Sequence, residues 1–374
     1  MSHLSTSKLA PFRADHVGSF LRPEALKQAR SDYTEGRISK ETLREIENDA
    51  IANVVEKQKQ IGLQAVTDGE FRRKFWHLDF IQSLEGIKVY EEETPGFFQG
   101  NMAKLTKYVV DGPLQFPKDH PFLSDFTYVQ KVAGDHVAKQ TIPGPNMIFH
   151  SGVVSNPHYV KNPAYESIEA VADGIVQLYK TIIQAFYDAG CRYLQFDDTS
   201  WGALFSDDYR KRIEDNGFNV DEVMKQFANI TIEALKEKPS DMAVTLHICR
   251  GNFKSSWLYE GDYEPIAKEL FSRVNVDAFF LEFDTERAGD FAPLRFIQDQ
   301  KVVLGLITTK TAQLEDKEII KERMKEAEQY VHPSQLCLSP QCGFASTEEG
   351  NLITEEDQWN KLKLVVDIAE EVWG

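Results

Sequence analysis

The chain has 374 residues, with 42 Lys+Arg against 59 Asp+Glu, which leaves a formal net charge of −17. Charged residues make up 27% and hydrophobic residues 42%, an ordinary globular balance, and the acidic excess argues against polyanionic partners such as nucleic acid or an anionic membrane. Four Cys do not make a disulfide scaffold. The opening stretch MSHLSTSKLAPFR lacks a signal-like apolar core, and no later run approaches the ~20 apolar residues of a membrane span, so a cytoplasmic location is expected.

In chain order, short β-rich runs alternate with amphipathic helical patterns. The expected strands are DHVGSF (15–20), AVTDGEF (65–71), VAKQTIPGP (137–145), YLQFDD (193–198), AVTLHIC (243–249), AFFLEFD (278–284), VVLGLITT (302–309) and LCLSPQC (336–342). A short helix is expected within 22–37, near Pro23. In KETLREIENDAIANVVEKQKQIG, Leu43, Ile46, Ala50, Ile51, Val54 and Val55 form one apolar helical face, with Gly62 at the expected C-cap. Comparable helices are expected at 166–188, 220–236, 315–330 and 354–372.

Parallel strands need crossover connections, so this alternation predicts a parallel α/β sheet. About eight units in one chain predict a single (β/α)8 TIM barrel spanning 1–374. Residues 75–135 break the rhythm: two β-like runs flank a Pro/Gly-rich turn, which predicts a β-hairpin at 85–114 inserted after the second strand.

In such barrels chemistry gathers at the C-terminal ends of the strands. His247 and Cys249 close the fifth expected strand two residues apart, so their side chains share one face. Glu282 closes the sixth strand and Cys342 the eighth. Together they form a credible nitrogen, sulfur and oxygen set for Zn²⁺, although a lone Cys at a strand end is more often a small buried apolar residue. Cys191 and Cys337 lie near strand starts and serve as structural controls.

Acidic side chains end two further strands: Asp68 and Glu70 in TDGEF, Asp197 and Asp198 in QFDD. Strand parity favours Glu70 and Asp197 as the functional pair, able to hold an ammonium group or exchange a proton, while helix capping or ion pairing is an equal reading for Asp68 and Asp198. Gly18 and Ser19 can bring backbone and a hydroxyl close to a carboxylate, a weak signal alone. Phe71, Trp76, Phe196, Trp201 and Phe344 are candidates to wall a pocket. No P-loop and no dinucleotide fingerprint occurs.

The ordered set HVGSF, TDGEF, QFDD, HIC, LEFD and SPQCG resembles the cobalamin-independent methionine synthase superfamily, specifically its C-terminal catalytic barrel in a short, single-barrel form. The resemblance runs from about residue 13 to the end. It implies that His247, Cys249, Glu282 and Cys342 ligate zinc, and that Val17, Gly18, Ser19, Glu70 and Asp197 hold the amino-acid end of homocysteine, with Glu70 and Asp197 as catalytic acids or bases. It further implies a cytoplasmic methyltransferase of methionine biosynthesis, acting on small molecules as monomer or homodimer. One departure stands out. Methionine synthases carry a His on the seventh strand's loop that serves the methyl donor; here the stretch reads GLITTKT, with Thr308 or Thr309 in its place. A neutral Thr cannot protonate a departing nitrogen as His⁺ can, so the donor side is left open. The alternatives are a zinc-dependent alkyltransferase or lyase acting on another small thiol, and a non-catalytic zinc- or thiol-binding barrel. A metal-free decarboxylase-like barrel conflicts with the His/Cys set. Arg72, Arg73, Lys74 and Lys310 are candidates for a basic rim that would receive an anionic donor.

Overall fold

The computed structural model describes residues 10–98, 101–156, 158–159 and 164–374; the first nine residues and the tip of the 85–114 segment, residues 99–100, lie outside the described residues. Seven strands form one wholly parallel sheet: β1 (Ala65–Val66), β4 (Val137–Pro143), β5 (Tyr193–Asp198), β6 (Ala243–Ile248), β7 (Ala278–Glu282), β8 (Lys301–Ile307) and β9 (Leu336–Pro340), in that spatial order. Between β1 and β4 in the chain, β2 (Glu85–Phe98) and β3 (Asn101–Gln115) pair antiparallel, with Ile87 opposite Val110 and Tyr90 opposite Lys107. Tyr108 and Val110 of this pair are buried, and the Tyr108 hydroxyl donates to the Met147 carbonyl at 2.8 Å.

The parallel sheet curls. The stretch 15–20, expected as a strand, does not form one; just before it Ala14 makes a single parallel bridge with Leu338 of β9. Asp15 N donates to Leu338 O (3.0 Å) and Leu338 N to Arg13 O (2.8 Å). On its other side the same stretch meets β1: the His16 ring lies 3.1 Å from Ala65 O, and the Thr67 hydroxyl donates to Gly18 O at 2.6 Å. One segment therefore touches both edges of the seven-stranded sheet, which is consistent with a TIM-like barrel.

The second expected strand, 65–71, shrinks to Ala65–Val66. Gly69 (φ 66°) and Glu70 (φ 61°) take left-handed backbone there, incompatible with an extended run. The third strand ends at Pro143 because Pro145 opens a helix, Pro145–Phe149.

Helices sit where periodicity put them. Lys40–Gln60 begins at Ser39, whose hydroxyl caps Thr42 N at 3.2 Å, and buries Ile51, Val54 and Val55; its C-cap is Ile61, with Gly62 following at φ 99°. Ile168–Asp188, Val220–Leu235, Lys317–Ala327 and Glu355–Trp373 match the remaining expectations within three residues at each end. The last of these starts with a reciprocal Thr354/Asp357 cap. The expected 22–37 helix is Glu24–Thr34, with Pro23 as its N-cap. No described helix is long and apolar enough to cross a membrane.

Candidate metal centre and substrate pocket

Parallel register explains why the reactive side chains meet. β5 and β6 pair with Asp197 opposite His247, so these two stand side by side at the C-terminal ends of their strands. Glu282 is the last residue of β7, and Cys342 follows β9 by two residues. One ligand atom from each of His247, Cys249, Glu282 and Cys342 lies within 4.8 Å of all the others, and all four residues are buried.

The donor set fits zinc on three observations. The two sulfurs are 3.7 Å apart, far from the ~2.05 Å of a disulfide. Two thiolates at ~2.3 Å from one tetrahedral ion would be separated by ~3.8 Å. Both ring nitrogens of His247, though buried, lack a hydrogen-bond partner among the described residues. The Glu282 carboxylate is held from behind, accepting from Arg250 N (3.0 Å) and from the Arg287 guanidinium (2.9 Å), which also binds Asp284.

Charge is concentrated here. A hydrogen bond from Cys249, with the nearby His247, holds Cys342 well below the usual thiol range, while Cys249 is pushed up by the same contact and by burial. Burial opposes protonation of His247, but Cys342, Asp197 and Glu282 outweigh it and raise the imidazole to about 9. Cys191 and Cys337, by contrast, are buried near strand starts and pushed up by desolvation to about 12, the behaviour of inert thiols.

Beside the candidate metal-ligand cluster opens a small pocket. Of the residues singled out in the sequence, Val17, Ser19, Glu70, Trp76, Asp197, His247, Cys249 and Cys342 line it; Gly343 and Ser346 complete it. Gly18 does not line the cavity but turns the chain at φ 133°, where a Cβ would stand 2.7 Å from the Thr141 methyl. Ser19 reaches the wall because Gly343 has no side chain: a Cβ there would lie 1.9 Å from Ser19 Oγ.

Glu70 is fixed by one oxygen only. Its Oε1 accepts from the Thr141 hydroxyl (2.9 Å) and pairs with Arg73 (3.1 Å), while the buried Oε2 has no partner among the described residues. Burial raises the Glu70 carboxyl, opposed by Arg73 and Arg22. Asp197 Oδ1 accepts from Gln195 at 2.7 Å, and burial lifts this carboxyl to about 7, with His247 opposing and Glu70 adding. The capping reading suits the other two acids: Asp68 accepts from Glu70 N (2.8 Å), and Asp198 from Ser200 N (2.7 Å).

Several expectations are corrected. Phe71, Phe196, Trp201 and Phe344 are core residues, and of the five aromatics Trp76 alone lines the pocket. The basic rim is not a rim. Arg72 is buried in an ion network with Glu47 and Asp125, Arg73 pairs with Glu70, Lys74 faces Glu348, and Lys310 is buried. Thr309 is locked inside: its hydroxyl donates to Gly343 O and receives Gln341 and Asn351 amides. Arg287 and the pocket residue Ser346 escaped sequence reasoning; only E-x-x-R at Glu70–Arg73 carried a local signal, the three-residue spacing of a turn.

Fold and site together define an α/β enzyme scaffold with a candidate metal centre at its strand C-termini. Residues 12–371 match the family described as cobalamin-independent synthase, catalytic domain. The chain belongs to this family and is by that membership a methyltransferase. An uncharacterised protein of Bacillus subtilis (strain 168), YxjG, is 47% identical over 98% of this chain and 96% of its own length. A solved structure from Listeria monocytogenes, provisionally described as a vitamin-B12-independent methionine synthase, shares 44% identity over 98% of this chain and 99% of that one, with a TM-score of 0.79. A methionine synthase of Sulfolobus acidocaldarius is 23% identical over 88% of this chain and 84% of its length.

Proposed function

We propose that this chain is a zinc-dependent S-methyltransferase that methylates the thiol of homocysteine to give methionine, built as one closed (β/α)8 domain with residues 75–135 inserted after the second strand. The reading carries a cytoplasmic location, small-molecule partners only, and a monomer or homodimer. His247, Cys249, Glu282 and Cys342 would hold the zinc, which supplies Lewis acidity that keeps a substrate thiol ionised near neutral pH. The rest falls to the chain. Ser19 and the Val17–Gly18 backbone receive the substrate carboxylate; the free Oε2 of Glu70 and the Asp197 carboxylate receive its ammonium group. Held in this way, the sulfur meets an electrophilic methyl in line: a C–S bond forms as the methyl–donor bond breaks, and the donor keeps that electron pair.

The carrying observation is that an acid pair with one buried oxygen unpartnered among the described residues and a Cys/His set line a single pocket. A thiol without an amino group would leave Glu70 Oε2 unpaired, so an amino-acid thiol is favoured over a plain alkyl thiol. The deciding experiment is X-ray absorption at the zinc edge with and without homocysteine. Gain of one sulfur neighbour is expected; an unchanged shell overturns the reading. For the donor, a methyltetrahydrofolate-type compound or another activated methyl, the comparison is methyltetrahydrofolate with one or several glutamates, methylcobalamin and S-methylated amino acids. The buried Thr309 offers no acid there, so donors with a good leaving group are expected to turn over best.

A further inference from the structure

Lys310 is an anomaly in the described structure. It lies on the loop after β8, only 7% exposed, and no carboxylate among the described residues stands within ion-pair distance of its ammonium group. Such a burial is costly unless something negative compensates it. Its Nζ donates to Asn252 Oδ1 at 2.9 Å and lies 3.5 Å from Ser256 O, two neutral acceptors. Asn252 in turn donates to Gly343 O (2.9 Å) and Ser346 Oγ (3.2 Å), both in the wall of the pocket. The ammonium is therefore one side chain removed from the pocket wall, beside Cys342.

The candidate ligand set is a concentration of negative charge close by. With both thiols ionised, Cys249, Cys342 and Glu282 would carry three negative charges; a dication would offset two and leave one, and a substrate thiolate would add a second. Arg287 cannot settle this alone, because it is shared between Glu282 and Asp284.

Resting on the homocysteine reading, we infer that Lys310 is the counter-cation of the sulfur site: a positioning residue, fixed through Asn252, that makes the pocket select an anionic thiolate over a neutral thioether. It thereby favours substrate over product. The consequence is chemical: methylation removes the charge that Lys310 rewards, so methionine leaves more readily than homocysteine.

Calorimetric binding of homocysteine and of methionine to zinc-loaded protein tests this. In Lys310→Met, homocysteine binding is expected to weaken roughly tenfold while methionine binding stays within about twofold. Lys310→Gln, which keeps a hydrogen bond to Asn252 without the charge, is expected to behave alike, and Lys310→Arg to recover most of the discrimination. Equal weakening of both ligands, or no change in either neutral variant that melts like wild type, overturns the inference. A wild-type protein that binds no homocysteine overturns the thiol reading and this inference together, whereas intact wild-type discrimination that survives in Lys310→Gln overturns the inference alone.

Discussion

The inside of the sheet holds two buried clusters of charge, one at each end, built on opposite principles. At the N-terminal ends of the strands Asp15 is saturated: Oδ1 accepts from Lys139 (3.0 Å) and His16 N (2.8 Å), and Oδ2 from the Tyr193 hydroxyl (2.8 Å) and Phe12 N (3.2 Å). Lys139 also meets His16 O and lies between the Tyr193 and Phe280 rings. At the C-terminal ends both nitrogens of His247 and one oxygen of Glu70 lack a hydrogen-bond partner among the described residues, and Asp197 is lifted to about 7. The difference separates structure from function. A saturated buried pair stabilises the fold that contains it, whereas an unsaturated one lowers stability until a ligand completes it.

The largest expected effect is at the C-terminal end. Cys342→Ser should lose stoichiometric zinc and reduce methyl transfer by at least ~10³-fold, read by metal analysis and turnover. A variant retaining both would erase the contrast. Next is Glu70→Gln. Homocysteine affinity should fall ~10–100-fold while 4-mercaptobutyrate, which lacks the amino group, binds as before. Equal losses for the two ligands would show Glu70 to be structural.

At the saturated end Lys139→Met should cost ~3–5 kcal/mol in denaturant unfolding, since it strands a buried carboxylate. Asp15→Asn added to it should restore part of that loss; simple additivity would mean the pair is not coupled.

The smallest effects are pH-dependent and opposite in sign. His16 is lowered by burial and by Lys139 to about 4, from an ordinary value of 6.5. Its contribution is therefore present above pH 6.5 and lost as the pH falls towards 4, so His16→Gln should flatten the acid limb of the stability profile by up to ~3 kcal/mol. Asp197 is raised, so its ionisation costs stability as pH climbs from 3.8 through 7. In zinc-free protein Asp197→Asn should gain ~2–4 kcal/mol at pH 8 and nothing below pH 4, measured by unfolding at both values. A gain at low pH would reverse the assignment.

Much of the site was legible because strand alternation is geometric. His247 in β6 and Asp197 in β5 follow from a period of two, whereas Glu70 lies beyond β1 in a left-handed turn and reaches the pocket for a reason other than strand parity. Asp68 and Asp198 could not be decided by type, since the same carboxylate caps a turn or faces a cavity according to backbone direction. What stayed hidden depends on long-range packing. The left-handed Glu70 shortens β1 after two residues, and nothing in TDGEF announces a positive φ at a glutamate. Lys310 reads as a surface cation by composition, and its burial is set by Asn252 nearly sixty residues earlier. Arg287 is equally silent, because its partner Glu282 belongs to a different element.

The stretch from Arg13 to Phe20 bears on how the catalyst is made. It bridges β9 to β1, supplies Asp15 to one cluster, and delivers Val17 and Ser19 to the other. Joining the two edges of the curled sheet and lining the pocket are thus one event, carried by residues 13–20, whose partners at Leu338 and Gly343 lie far later in the sequence. In chain order the candidate metal ligands His247, Cys249 and Glu282 precede Leu338 and Gly343, the partners of residues 13–20. The pocket wall is complete only when residues 13–20 meet those late partners.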